Sequence, residues 1–160
     1  MATENTKPIT PVLEEELLYR SVGDTDQHHG CDPKGNLIRV GNSAFNDPDQ
    51  KPSVDRVSLR DGGAQATRFS PEHGVVTLGV KEIRSISTVI SSTPKGVPLP
   101  AHVVDVAHAP EPQNYSHALV ETAPHAASKN TFKKLKEALS RLATTRGWAY
   151  PPASQRNEVA

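Results

Sequence analysis

The chain of 160 residues balances 18 basic against 18 acidic side chains, so net charge nominates neither nucleic acid nor an anionic membrane as a partner. Only 35 % of the residues are hydrophobic and 4 % aromatic, beside 10 glycines and 14 prolines, which is material for one modest core and excludes two. No apolar run nears the roughly 20 residues of a membrane helix, the start MATENTKPIT lacks a signal-peptide pattern, and one cysteine, Cys31, excludes an internal disulfide framework, so a cytoplasmic location is expected.

Residues 1–9 and 153–160 are polar and aperiodic and are expected to be disordered, leaving a single domain over 10–152. Thr10-Pro11 reads as an N-cap followed by proline at the first helical position, and it predicts a short helix through Leu13 and Leu17. Leu17-Leu18-Tyr19-Arg20-Ser21-Val22 reads as a first strand, ended by Gly23-Asp24. From Gly23 to Lys51 the composition is mostly that of loop, with Leu37, Ile38, Val40 and Phe45 as apolar exceptions; a loop so long inside a small domain is the first place to look for a site.

Ser53 to Leu59 alternates with period two and predicts a short strand. Val75-Val76-Thr77-Leu78-Gly79-Val80 is the most β-branched run and predicts a central strand; Val80, Ile83 and Ile86 then suit one helical turn. Further strands are expected over Thr88–Ser91, within the proline-bracketed Ala101–Val106, and over His117–Glu121. The strongest pattern is a helix from Thr131 to Arg146. Asn130 suits its N-cap, Phe132, Leu135, Leu139, Leu142 and Ala143 form its apolar stripe, and Gly147 occupies the position after its end. Trp148 and Tyr150 are expected to fold back over that stripe. The resulting fold class is α+β: a mostly antiparallel, twisted sheet of about five or six short strands covered on one face by the C-terminal helix.

Two constellations carry candidate chemistry. His28-His29-x-Cys31-Asp32 clusters metal-ligating side chains, with His73, His102, His108, His117 and His125 elsewhere, but no second pair has zinc spacing. We therefore read it as a solvated loop and assign no metal. The second set is spread along the chain. His117 is a candidate general acid/base, Arg56 a candidate holder of phosphate and Ser53 a third catalytic candidate, with Arg20, Ser43 and Phe45 as candidate ligand contacts. Asp55 and Arg56 are adjacent on a strand, point to opposite faces and cannot both line one pocket. The competing reading gives Asp55 and Arg56 an ion-pair role and lets His117 bond backbone at a strand start. Sequences of the G-x-S-x-G, G-x-G-x-x-G and P-loop types are absent, so no nucleotide cofactor is expected.

The helix is also basic. Lys129, Lys133, Lys134, Lys136, Arg141 and Arg146 face a single acidic residue, Glu137, which offers a docking surface for nucleic acid or an acidic protein.

The order of Ser43-Ala44-Phe45, Ser53-Val54-Asp55-Arg56 and Asn114-Tyr115-Ser116-His117-Ala118 before a closing helix resembles a group of small bacterial proteins with S-A-F, S-V-D-R and N-P-x-H-A segments. Tyr115 stands where that pattern has proline. The resemblance spans roughly Leu17 to Pro151, carries no known activity, and directs attention to Phe45, Ser53, Arg56 and His117. Two functions follow as expectations. The first is an accessory or interaction domain that recognises an anionic ligand or macromolecule; the second is a toxin- or defence-like enzyme acting on RNA or a nucleotide through a His/Arg site.

Overall fold

The computed structural model describes residues 8–34, 36–86, 103–123 and 129–155. Six strands form one antiparallel sheet: β1 (Leu17–Val22), β4 (Ser53–Arg56), β5 (Gly74–Gly79), β6 (Val103–His108), β7 (His117–Ala123) and β8 (Trp148–Tyr150), in the order β6-β7-β4-β1-β5-β8. β2 (His29–Cys31) and β3 (Leu37–Val40) pair separately. The described residues also form three α-helices, α1 (Ala64–Thr67), α2 (Val80–Arg84) and α3 (Lys129–Arg146). The α+β class, the six strands and the C-terminal helix match the sequence pattern.

Period-two alternation sorts the sheet into two faces. Leu18, Val22, Val54, Val76, Leu78, Val104, Val106, Ala118 and Val120 form one face and are buried against Phe132, Leu135, Leu139 and Ala143 of α3 and Val80 and Ile83 of α2. Burying a leucine such as Leu135 or Leu139 fully contributes about 1.5–3 kcal/mol. α3 stops where Gly147 takes φ 79°, a left-handed conformation that glycine adopts without steric cost, and its N–H caps the Ala143 carbonyl at 2.9 Å.

Five sequence expectations change. The segment 10–16 is not helical, because a side chain claims its carbonyls: Arg56 donates to Thr10 O, Thr10 Oγ1, Pro11 O and both oxygens of Glu16. The loop from Gly23 to Lys51 contains the β2–β3 hairpin and a 3₁₀ turn over Asn42–Phe45, whose Ala44 and Phe45 enter the core. β5 is interior but next to last in the sheet. Trp148 and Tyr150 are an edge strand on β5, with Trp148 also edge-on to His29 at 5.3 Å, so they extend the sheet instead of closing over the helix stripe. Residues 153–155, expected to be disordered, form a 3₁₀ turn held by Ser154 on the Asp24 carboxylate. The expected strand Thr88–Ser91, with His102 and His125, lies outside the described residues.

Candidate functional site

The sheet face turned away from α3 carries the polar half of the alternation. Tyr19 and Ser21 come from β1, Ser53 and Asp55 from β4, and His117 from the first position of β7. The registers Tyr19↔Asp55 and Asp55↔His117 set three of them in one row across three strands. The β1–β4 ladder ends at Tyr19↔Asp55, and a cleft of about 660 Å³ opens there, lined by Ser21 and Ser53, by Arg60, Thr67, Arg68, Phe69 and His73, and by Glu111, Asn114 and His117.

His117 has a fixed ring. Its Nδ1 lies 2.7 Å from the Ala109 carbonyl, which can only accept, so the Nδ1 proton points there. In the neutral imidazole Nε2 is then bare, and it accepts the Ser53 hydroxyl at 3.2 Å. Glu111 Oε1 stands 3.7 Å from the same nitrogen. A bare nitrogen held toward an open cleft is what a general base requires. The backbone bond foreseen for a histidine at a strand start is present, and it aims the ring instead of consuming it.

Ser53 is held in turn. Its N–H donates to Asp47 Oδ2 at 2.9 Å, and its carbonyl accepts from Arg20 Nη1 at 2.8 Å. Arg20 also pairs with Asp47 at 2.8 Å, donates to Ala44 O and lies over the Phe45 ring, so this guanidinium is committed to positioning the start of β4. Asp55 ties the cleft together. Its carboxylate accepts from Thr67 Oγ1 at 2.8 Å and from Asn114 Nδ2 at 2.7 Å, with Arg60 Nε at 3.3 Å.

The other sequence candidates divide. Ser43 lines the cleft, but its hydroxyl donates to Gln27 O at 2.7 Å. Phe45 is fully buried and belongs to the core, as an apolar ring at a 3₁₀ turn packed under a sheet must. Arg56 is 5 % exposed and points to the face opposite Asp55, away from the cleft. Its ion pair with Glu16, 2.8 Å, replaces the expected phosphate contact. Burial alone would push the Glu16 carboxyl up, but the Arg56 hydrogen bonds, the Leu13 N–H and the Arg56 charge outweigh it and hold the group below its ordinary value.

Sequence reasoning missed Arg68 and His73. Arg68 lines the cleft and donates to the Gln65 and Pro71 carbonyls without a carboxylate partner among the described residues. His73 sits in the turn before β5, and that Pro71-Glu72-His73-Gly74 turn was the available signal.

His28, His29, Cys31 and Asp32 do not converge. His28 Nδ1 accepts the Gly23 N–H, His29 Nε2 meets Asp24 at 2.9 Å and its Nδ1 lies 3.6 Å from Cys31 Sγ, while Asp32 accepts the Lys34 and Asn36 N–H groups. No group of three such side chains is placed to hold a metal among the described residues. Burial pushes the Cys31 thiol up, which opposes its use as a nucleophile. On α3, Lys133, Lys134 and Arg141 are exposed, Lys136 donates to Asn46 Oδ1 at 3.0 Å, and Arg146 pairs with Glu82; none of them lines the cleft.

With this geometry in place, comparison with protein-family models, curated proteins and solved structures finds no match. The chain's own pattern still points to one location. Ser43 and Ala44, Ser53 to Asp55, and Asn114 with His117 come from three separate stretches of the chain and all line the same cleft.

Proposed function

We propose that the cleft is an acid–base active site for a phosphate-containing substrate, with His117 as the proton-transfer residue. The observation that carries this is the His117 ring itself, anchored through Nδ1 on Ala109 O with Nε2 turned to Ser53 and the cleft. Ser53 holds the place that a substrate hydroxyl takes over. Arg68 replaces Arg56 as the residue that receives the anion, because its charge has no carboxylate partner among the described residues. Arg20 and Asp55 act as positioning residues behind Ser53 and across the cleft.

Recognition of an anion without turnover is the second reading, favoured by the pairing of Arg20 and Arg60 with internal carboxylates, which leaves a preformed and rigid pocket. Turnover of a phosphodiester by wild type and by His117→Ala separates the two. The enzyme reading expects His117→Ala to lose about 10²–10⁴-fold in kcat with unchanged melting. Binding of the diester by wild type with no product formed would leave recognition alone.

A further inference from the structure

We infer that the cleft takes a ribonucleotide chain and that His73 is its second proton-transfer residue, serving the leaving oxygen while His117 serves the attacking one. This rests on the acid–base reading above.

His73 is held by a hydroxyl, where His117 is held by a carbonyl. Its Nδ1 lies 2.8 Å from Ser21 Oγ, which also accepts the Phe69 N–H at 2.9 Å and has a second lone pair for the Nδ1 proton of the imidazolium. The imidazolium so held can give up its Nε2 proton, and the proton that stays on Nδ1 is donated to Ser21. His117 Nε2, by contrast, is bare when its ring is neutral. The two serines that hold these rings, Ser21 and Ser53, sit on neighbouring strands just past the end of their ladder at Tyr19↔Asp55, on the same sheet face and in the same cleft. One imidazole offers a lone pair and the other an N–H to a group bound between them. The third cleft histidine, His28, does not compete. Its Nδ1 accepts the Gly23 N–H, and burial, then the charges of His73, Arg20 and His29, push its pKa below the ordinary histidine value.

The substrate class follows from the mouth of the cleft. Phe69 is 87 % exposed, an unusual cost for a large ring, and it stands 6.1 Å from the His73 ring at a 37° tilt. Phe69 shares the cleft lining with Arg68, whose guanidinium lies over the Tyr150 ring and has no carboxylate partner among the described residues; an exposed ring and such a cation in one cleft match a nucleobase and its phosphate. A base and an acid on two histidines suit a nucleophile supplied by the substrate itself, and a ribose 2′-hydroxyl is one.

The step balances without a co-reactant. His117 Nε2 takes the 2′-hydroxyl proton as the 2′-oxygen–phosphorus bond forms, the phosphorus–5′-oxygen bond breaks, and the His73 imidazolium gives its Nε2 proton to the departing 5′-oxygen. The products are a 2′,3′-cyclic phosphate and a 5′-hydroxyl, and water returns the proton from His117 to His73.

Two substrates test this, uridylyl-3′,5′-adenosine and uridine 3′-(4-nitrophenyl phosphate), since nitrophenolate leaves without a proton. Wild type is expected to form uridine 2′,3′-cyclic phosphate from both. His117→Ala should lower kcat on both by about 10²-fold or more, whereas His73→Ala should do so only on the dinucleotide and stay within about threefold of wild type on the aryl ester. His73→Asn, which keeps a bond to Ser21, should behave like His73→Ala, and Phe69→Ala should raise KM with little change in kcat. Equal losses on the two esters, or none on the dinucleotide, would overturn the role of His73 while the His117 result still upholds the acid–base site. Cleavage of the 2′-deoxy dinucleotide would overturn the ribose class. No product from either ester with wild type would overturn both.

Discussion

Arg56 and His117 look alike in the sequence, two polar residues in short segments of a small β-rich domain, yet the structure uses them in opposite ways. Arg56 spends its donors on Thr10, Pro11 and Glu16, and is sealed beneath the segment it ties down. His117 spends one nitrogen on a carbonyl and turns the other, which accepts the Ser53 hydroxyl at 3.2 Å, toward a cleft. A polar side chain sealed among partners of its own chain stabilises the fold; one whose partner is a hydroxyl on a cleft wall, which a ligand hydroxyl can replace, is available for chemistry.

That contrast breaks most sharply at Arg56. Arg56→Ala leaves the buried Glu16 carboxylate without its cation and should cost about 3–5 kcal/mol, read as a lower urea midpoint. Leu139→Ala on the covered face of α3 should cost about 2–5 kcal/mol, through lost burial and a residual cavity. Asp55→Ala, which frees Thr67, Asn114 and Arg60 together, should cost about 1–3 kcal/mol and weaken turnover by loosening the cleft. Lys134→Ala, on the solvent side of the same helix as Leu139, should change stability by less than about 0.5 kcal/mol.

Acid provides a finer test. Glu16, Asp24 and Asp105 are each held below their ordinary values of 4.5, 3.8 and 3.8. In all three, burial pushes the carboxyl up, and hydrogen bonds and charges from Arg56, from Ser154 and His29, and from Arg84 outweigh it. Groups depressed in the fold add stability that is complete above those ordinary values and is lost as pH falls through the lower folded ones. Wild type should therefore lose melting temperature below about pH 4.5, and Arg56→Ala should lose less over the same range, because Glu16 no longer has a depressed value to surrender.

Much of the architecture was legible because it depends on periodicity. The alternation that opens at Ser53, the β-branched run of β5 and the apolar stripe of α3 each repeat a local rule that burial then enforces. The helix expected at Thr10 failed because that rule is local and the decisive contact is not: Arg56 lies 46 residues away in the chain and takes the carbonyls a helix would need. The site was legible in part for the same reason. His117 and Ser53 sit at strand starts where alternation fixes their face. Arg68 and His73 reach the cleft through an irregular segment after α1, and no periodicity foretells where such a segment folds. Phe45 misled because an isolated aromatic in a polar loop looks like a ligand contact, whereas a 3₁₀ turn delivers it to the core.

The most direct test compares His117→Ala with Arg56→Ala in two readouts on the same preparations, thermal unfolding and release of product from a ribodinucleotide. His117→Ala should melt as wild type does and lose turnover, and Arg56→Ala should melt well below wild type while whatever remains folded still turns over. A His117→Ala protein that melts low, or an Arg56→Ala protein that melts normally and is inactive, would contradict the assignment of the open cleft to chemistry and of the buried arginine to structure.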